Sequence, residues 1–207
     1  MAKDDLSKST SIRCECGAFE LAVDERGVRL ACYCADCRAF ARWLDRDGAL
    51  DACGGTGIVQ ARPDRIRIVK GAERLAGLRL SSKGVLRWYT SCCRSPVGNT
   101  APTGDVPFVG LIVAGLAAPA RDAAFGPVRH VAFPEEAACA PGAAPPKARF
   151  GDPGVLILKF VARVLAARLA GAGKRNPFFD AGTGAPVATP RTLTSDERAA
   201  LAAREAA

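Results

Sequence analysis

Apolar and polar residues alternate along much of the first two thirds of the chain. The alternation is strict in residues 65–68 (Arg-Ile-Arg-Ile) and less regular in residues 85–89 (Val-Leu-Arg-Trp-Tyr). A period of two residues is typical of half-buried strands in antiparallel sheets. We therefore predict a mainly β region whose extended runs are separated by turns: residues 12–23, 28–34, 58–61, 66–69, 75–80, 85–90 and 108–114.

Apolar residues with the spacing of a helix occur once within this β region and again in the last part of the chain. Phe40, Trp43 and Leu44 are three and four residues apart and precede Gly48, which predicts a short helix after the cysteines at 32–37. Beyond residue 154 the chain is predicted to be helical. Its last helix begins at Thr-Ser-Asp-Glu, residues 194–197, which has the pattern of a capping box.

These patterns divide the chain into four segments. Residues 1–12 are polar without a period and are predicted to be a disordered tail. A β domain follows over 13–134, then a Pro- and Ala-rich linker or loop over 135–153, and a helical extension over 154–207 that packs on the β domain. Within that extension, residues 175–180 (Arg-Asn-Pro-Phe-Phe-Asp) predict a turn whose aromatic residues hold a helix against the sheet.

Residues 154–169 are apolar apart from Lys159, Arg163 and Arg168. The run is too short and too interrupted to be a membrane span. Packing on the β domain is the favoured interpretation, and contact with a membrane surface is the weaker alternative.

The charge of the chain and the composition of its N-terminus bear on its cellular compartment and on the partners it is expected to bind. The chain has 29 basic and 21 acidic residues, a formal net charge of +8, but the arginines are scattered and form no long run. Scattered charge is typical of a solvated surface, so nucleic-acid binding is not expected. No apolar segment of signal-peptide length precedes the first cysteine, which predicts a cytoplasmic protein.

Nine cysteines in a cytoplasmic protein indicate metal or redox chemistry more than a disulfide framework. Cys53 and Cys139 stand alone and are predicted to be packing or incidental thiols. The other seven form three tight groups: Cys14 with Cys16, then Cys32, Cys34 and Cys37, then Cys92 with Cys93.

The central group, Cys32, Cys34 and Cys37, is called the trio below. Residues two apart in a strand share a face, and a Cys-x-x-Cys turn wraps two thiolates around a tetrahedral ion. Soft thiolates select zinc, and three ligands leave the fourth position for water or substrate. A redox dithiol stays open as an alternative, although the βαβ setting expected for one is missing.

Three motifs together resemble a known family. They are Cys-x-Cys-Gly at 14–17, Cys-aromatic-Cys-x-x-Cys-Arg at 32–38 and Cys-x-Ser-Pro at 93–96. In this order they resemble the glutathione-dependent formaldehyde-activating enzyme family, which includes relatives of centromere protein V, over residues 12–133. The resemblance implies a zinc-binding β-tent fold of antiparallel sheets. It also implies a structural zinc held by Cys14, Cys16 and Cys93, and a reactive zinc held by the trio.

The chain departs from that family at three positions, which mark it as a divergent member. Tyr33 stands where the family has a histidine or similar ring, and Thr90 stands where it has a cysteine ligand. Cys92 is the candidate replacement for that ligand, but adjacent strand residues point to opposite faces, so a turn is required. Arg94 replaces the usual glycine.

The function implied by the resemblance is carbon-sulfur lyase chemistry with one or two Zn²⁺ ions. The trio would be catalytic and would act on a small thiol or thiol adduct, with glutathione as the candidate thiol and a carbonyl compound as its partner. Arg38 or Arg94 would offset the negative charge of three thiolates and bind a carboxylate of the thiol. The alternatives are a non-catalytic, zinc-stabilised binding module and a thiol redox switch.

Overall fold

The structure, a computed structural model, describes residues 9–147 and 153–206, and this part of the chain is mainly β. The strands are β1 (Thr10–Arg13), β2 (Glu20–Val23), β3 (Val28–Cys32), β4 (Thr56–Ala61), β5 (Ile66–Lys70), β6 (Leu75–Arg79), β7 (Leu86–Thr90), β8 (Pro96–Thr100), β9 (Val109–Ile112), β10 (His130–Ala132) and β11 (Arg191–Thr192). The helices are α1 (Ala35–Trp43), α2 (Ala118–Phe125), α3 (Pro153–Leu169) and α4 (Ser195–Ala206).

The strands form two sheets. A three-stranded sheet has the order β1-β2-β5, and an eight-stranded sheet has the order β10-β3-β4-β9-β8-β7-β6-β11. Neighbouring strands are antiparallel except at the two edges of the large sheet, where β10 pairs with β3 and β11 with β6 in parallel. The predicted mainly β fold of antiparallel sheets with a helical C-terminal extension is therefore confirmed.

Each predicted extended run contains a strand, but the predicted boundaries are wrong in two places. Residues 12–23 form two strands, β1 and β2, joined by a turn. Residues 10–12 belong to β1 rather than to a tail, because Ile12 is buried in the core. Residues 1–8 of the predicted tail lie outside the described residues. β8 (Pro-Val-Gly-Asn-Thr) and α2 were not predicted from the sequence, since neither has a clear apolar period. The run 128–131 was predicted to be strand-like, and β10 lies at its end.

The two faces of the large sheet are covered by different elements. One face packs against the small sheet, and the shared core includes Leu21, Val23 and the fully buried Trp88. The opposite face packs under α1 and α4, with Phe40 and Leu201 among its buried residues. Burying a side chain of this size stabilises the fold by about 1.5–3 kcal/mol. The sheet thus holds α1, and with it part of the trio, over one face.

Residues 175–180 anchor the C-terminal extension, as the sequence predicted. The Asn176 side-chain oxygen accepts a hydrogen bond from the backbone N–H of Phe178 at 3.1 Å. The rings of Phe178 and Phe179 lie 5.2 and 6.2 Å from the Trp88 ring, centroid to centroid. Both phenylalanines are buried, so this segment is part of the core of the β domain.

The predicted capping box at the start of α4 is confirmed. The backbone N–H of Glu197 donates to Thr194 Oγ1 at 3.2 Å, and the Glu197 carboxylate accepts from the Thr194 N–H at 2.9 Å. These two bonds satisfy donors at the helix N-terminus that have no partner within the helix.

No helix among the described residues, α3 with its apolar run included, is both long enough and apolar enough to cross a bilayer.

The interpretation of Cys53 and Cys139 as separate thiols is wrong, because the two form a disulfide across 86 residues. β10 runs beside β3, and the segment after it continues along the loop between α1 and β4. There the N–H groups of Ala138 and Ala140 donate to the carbonyls of Cys53 and Ala52, at 3.1 and 2.9 Å. The first part of the predicted linker is therefore attached to the β domain. Residues 148–152 of that linker lie outside the described residues.

Candidate metal centres

Four cysteines, Cys14, Cys16, Cys92 and Cys93, come together and are called the outer group below. Their Sγ atoms all lie within 4.8 Å of one another. Cys14 and Cys16 lie in the turn after β1, where Gly17 adopts a positive φ of 71° and its N–H donates to the Cys14 carbonyl. The outer pairs of the sequence thus form one group, as predicted.

A turn after β7 allows the adjacent residues Cys92 and Cys93 to point into the same group, which they could not do within a strand. The strand ends at Thr90, and the N–H of Arg94 donates to the Thr90 carbonyl at 2.8 Å. Arg94 adopts a positive φ of 55°, the backbone conformation that favours glycine. Cys92 therefore joins Cys93 in the outer group, while Thr90 lies beside it with Oγ1 3.4 Å from Cys93 Sγ.

The outer group has the dimensions of a tetrahedral zinc-thiolate centre. The Sγ–Sγ distances are 3.6 Å for Cys14 and Cys16, 3.9 Å for Cys14 and Cys92, 3.4 Å for Cys16 and Cys92, and 3.9 Å for Cys92 and Cys93. Zinc-sulfur bonds of about 2.3 Å place tetrahedral ligands about 3.8 Å apart. Four sulfurs within 4.8 Å of one another could complete the coordination of one metal ion.

Cys93 is also suited to ligation in its charged form. Burial raises the pKa of its thiol, but hydrogen bonds from Ser95 and Thr90 lower it, and together the surroundings bring the pKa to about 5. The Ser95 hydroxyl lies 3.2 Å from Cys93 Sγ. Metal ligands of this type must be thiolates, so these hydrogen bonds favour the form that binds.

The trio forms a second group under the N-terminus of α1. Cys32 ends β3, Cys34 is the N-cap of α1, and Cys37 lies in the first turn of that helix. Cys32 Sγ is 3.4 Å from Cys34 Sγ and 3.7 Å from Cys37 Sγ, and all three sulfurs lie within 4.8 Å of one another. Cys32 and Cys37 are buried, and Cys34 is half-buried. This spacing also fits a tetrahedral metal ion, with three positions filled by protein sulfur.

A buried arginine that was not predicted from the sequence lies against the trio. Arg87 Nη1 is 3.8 Å from Cys37 Sγ, and its side chain is only 4% exposed. Nη1 also donates to Asn99 Oδ1 at 3.4 Å, and Nη2 lies 3.6 Å from the Asp36 carboxylate. Contacts with the sulfurs of Cys32 and Cys34 lower the pKa of Cys37 well below its usual range, and the positive charge of Arg87 lowers it further.

The two arginines predicted to bind substrate make other contacts. Arg38 is buried and donates to the main-chain carbonyls of Tyr33 and Glu136. Arg94 donates to the carbonyls of Trp43 and Leu44 and lies over the Trp43 ring. Both guanidinium groups therefore hold backbone segments.

The sequence gave little indication that Arg87 belongs to this site. It is a basic residue within the alternating run 85–89, and it is too far from the trio in sequence to have been selected.

Tyr33, the aromatic residue between the first two cysteines of the trio, faces away from the trio sulfurs. It is fully buried among Ala31 and Cys53, on the side of β3 opposite Cys32. Its hydroxyl donates to the Asp51 carboxylate at 2.9 Å, and burial followed by this contact raises the pKa of the phenol. Tyr33 thus fixes the loop after α1 and does not face the possible metal ion.

A cavity of about 790 Å³ opens beside the outer group rather than beside the trio. Cys14 and Ser95 lie in its wall, together with the charged side chains of Glu15 and Arg46. Arg46 forms an ion pair with Glu15 and donates to the main-chain carbonyl of Cys93. The trio does not contribute to the walls of this cavity.

Residues 6–190 match a protein family described as "Family of unknown function (DUF6151)". No curated protein matches the chain. Among solved structures, the chain is similar to the crystal structure of a Rhodobacter sphaeroides protein from a structural genomics programme. The two are 23% identical with a TM-score of 0.41, over 59% of this chain and 99% of that chain.

Proposed function

The chain belongs to the DUF6151 family, and we propose that it is a zinc-dependent enzyme of thiol-adduct chemistry. Its reaction would make or break the carbon-sulfur bond between a small thiol, such as glutathione, and a carbonyl compound. The observation that carries the proposal is the trio: three cysteine sulfurs within 4.8 Å, with a buried guanidinium against one of them.

The donor set of the trio supports zinc as its metal. Cys32, Cys34 and Cys37 offer soft sulfur ligands at distances that suit tetrahedral coordination, and such ligands favour zinc over harder cations. Three protein ligands are the number typical of catalytic zinc, with one position left for a substrate. Bound there, the ion would supply Lewis acidity and an attachment point for the sulfur of a small thiol.

The balance of charge explains why an arginine is needed. A divalent ion with three thiolates carries a net charge of about −1, which is costly to bury without compensation. The guanidinium of Arg87 is permanently protonated and lies against Cys37, so it would bring the local charge close to zero. In this role Arg87 takes the place that the sequence assigned to Arg38 or Arg94.

The proposed reaction needs no oxidant or reductant. In the direction of adduct formation, the thiol sulfur bonds to the carbonyl carbon, the C=O double bond becomes a single bond, and the thiol proton moves to the oxygen. The reverse direction breaks the same carbon-sulfur bond. The chain's own contribution would be to hold the thiol sulfur in place and to stabilise its negative charge with Arg87.

For the outer group, we propose a structural zinc. All four positions of a tetrahedral ion would be filled by protein, which is typical of structural sites. Cys92 follows Cys14 by 78 residues and Cys16 by 76 residues in the sequence. Metal binding would therefore join the turn after β1 to the turn after β7. Such a cross-link stabilises the folded state because the unfolded chain lacks the assembled site.

The second candidate is a zinc-stabilised binding module without turnover. The observation that favours it is the burial of the trio, since Cys32 and Cys37 are only 7% and 6% exposed. A metal ion held by these residues and closed off from solution would contribute to folding alone. The two candidates differ in one measurable property, which is whether a small thiol reaches the metal ion.

Exchange NMR of formaldehyde with glutathione tests the proposal. Zinc-loaded wild type is expected to raise the exchange rate above the uncatalysed value, and Cys34→Ser is expected to abolish this increase. The control is the double variant Cys53→Ser with Cys139→Ser, which also replaces cysteine by serine and removes the disulfide but leaves both candidate centres complete. Circular dichroism of each variant verifies that the β fold is retained.

The proposal fails if fully zinc-loaded wild type leaves the exchange at its uncatalysed rate for glutathione and for other small thiols. The binding module would then be the better account. An equal loss of activity in Cys34→Ser and in the Cys53 and Cys139 control would also count against a specific role of the trio.

A further inference from the structure

A buried hydroxyl on β4 has no evident role in the fold. Thr56 is 4% exposed, and its Oγ1 makes no hydrogen bond to any other described residue. A buried hydroxyl without a partner is costly, so most such groups in folded proteins are hydrogen-bonded. The position of Thr56 therefore suggests a partner other than the described residues, such as a bound ligand.

The sheet register places Thr56 beside Cys32 of the trio. Thr56 is the first residue of β4 and lies directly opposite Cys32 in the antiparallel β3–β4 pair. Side chains of directly opposed residues project from the same face, with Cβ atoms about 4.5–5.5 Å apart. Thr56 thus shares the face on which Cys32 meets the other two cysteines.

The same face carries two further buried polar residues. Arg87 lies opposite Asn99 in the β7–β8 pair, and both are less than a tenth exposed. Arg87 offers only donors, and the Asn99 oxygen already accepts one of its N–H groups. Leu30 and Ile58, which pack beside Cys32 and Cys37, are apolar. Arg87 and Thr56 therefore offer hydrogen-bond donors to this space, next to an apolar wall.

We infer that Thr56 positions an anionic sulfur ligand at the fourth coordination position of the trio. Its hydroxyl donates a hydrogen bond to the thiolate of a small thiol, while Arg87 offsets the added negative charge. A thiolate only accepts hydrogen bonds, which suits surroundings that mainly donate, whereas a water ligand has two hydrogens that need acceptors. This inference rests on the proposed function and adds the residue that recognises the thiolate.

Cobalt substitution tests this inference without requiring turnover. Co²⁺ replaces zinc in thiolate sites and gives visible bands that change when a further sulfur binds. The cobalt-loaded protein is titrated with 2-mercaptoethanol in the absence of any carbonyl compound. The outer group already has four sulfurs, so the change in the spectrum is expected to come from the trio.

Three variants separate recognition of the thiol from general stability. Thr56→Val keeps the shape of the side chain and removes the hydroxyl, and Thr56→Ser keeps the hydroxyl. Thr100→Val is the matched control, because Thr100 is also buried but its hydroxyl accepts from Trp88 Nε1. We expect Thr56→Val to weaken 2-mercaptoethanol binding about tenfold or more, the usual effect of removing a hydrogen bond to a charged group. Thr56→Ser and Thr100→Val are expected to bind it within about threefold of wild type.

Two results would overturn the inference alone. The first is an unchanged affinity for 2-mercaptoethanol in cobalt-loaded Thr56→Val. The second is weaker binding of Co²⁺ itself with an unchanged thiol step, which would show that the hydroxyl supports Cys32 instead. If the trio takes up no cobalt, both the inference and the proposed function fail. If the predicted thiol affinities are found but wild type shows no exchange activity, only the proposed function fails.

Discussion

Arg87 Nη1 lies 3.8 Å from Cys37 Sγ, although the two residues are 50 positions apart. The contact joins the start of β7 to the first turn of α1. Asp36, the residue before Cys37, forms ion pairs with both Arg87 and Arg198 of α4. The C-terminal helix is therefore connected to the trio through Asp36, which gives the last helix of the chain a structural link to the candidate site.

Replacing Arg87 with glutamine is expected to weaken zinc binding at the trio about tenfold, since one charge-assisted contact of this kind contributes about 1.5–3 kcal/mol. The loss follows because the negative charge of three thiolates and one zinc ion would no longer be offset. Competition with a chromophoric chelator measures the affinity. Arg74→Gln is the control, since Arg74 is half-exposed and pairs with Glu73. Equal affinity in both variants would refute the role of Arg87.

Each cysteine group is expected to hold about one equivalent of zinc. Elemental analysis of purified wild type should therefore find about two equivalents, with about one left in Cys34→Ser and about one left in Cys92→Ser. Cys139→Ser should keep both, because Cys139 belongs to neither group. Wild type that is free of zinc after expression in metal-replete medium, with its thiols intact, would contradict the assignment of both groups.

The outer group is expected to matter more for folding than the trio does. Chelation of zinc from wild type should lower the midpoint of thermal unfolding, and Cys92→Ser should reproduce most of this loss. Cys34→Ser should unfold closer to zinc-loaded wild type, because the trio comes from one short segment of six residues. Calorimetry of the four samples measures the difference. A larger loss in Cys34→Ser than in Cys92→Ser would reverse the assignment of structural and reactive centres.

The Cys53–Cys139 disulfide leads to a separate prediction on stability. Under oxidising conditions Cys139→Ala is expected to lower the free energy of unfolding by about 2–4 kcal/mol, since the disulfide closes a long loop of the unfolded chain. A phosphine reductant should lower the stability of wild type by a similar amount and leave the variant unchanged. Denaturant titration with and without reductant measures both effects. A reductant effect of equal size in wild type and variant would show that it arises elsewhere.

The contact between Phe178 and Trp88 determines whether the extension belongs to the β domain. Phe178 is fully buried, so Phe178→Ala is expected to cost about 3–5 kcal/mol of unfolding free energy. Phe133→Ala is the control, since Phe133 is 49% exposed and its replacement should cost much less. Denaturant titration gives both values. If Phe178→Ala unfolds at the same denaturant concentration as Phe133→Ala, the packing of residues 175–180 on the sheet is wrong.

Local patterns explain most of what the sequence could predict. The alternating run at 65–68 predicted β5, and the spacing of Phe40 and Leu44 predicted α1. The sequence at 194–197 predicted the capped start of the last helix. In each case the relevant contacts join residues a few positions apart. The trio could be predicted for the same reason, because its three sulfurs come from six consecutive residues.

Contacts set by the order of strands could not be predicted. Arg87 reaches Cys37 because α1 crosses the sheet, and Cys53 meets Cys139 because β10 lies beside β3. Nothing in the one-dimensional pattern records which strands are neighbours. The place of Cys92 in the outer group depended on the positive φ of Arg94, a conformation that sequence rules assign to glycine rather than arginine.

Helix α1 also determines how far apart the two centres lie. Its N-terminal turn carries Cys37, and the carbonyls at its C-terminal end accept hydrogen bonds from Arg94, next to Cys93. Nine helical residues span on the order of 13 Å, so two bound ions would be separated by about the length of the helix. No single sulfur could bridge them, and in a doubly cobalt-loaded protein the electron spins would couple only through space. The helix would therefore act as a spacer of fixed length and keep two ions bound at these groups electronically independent.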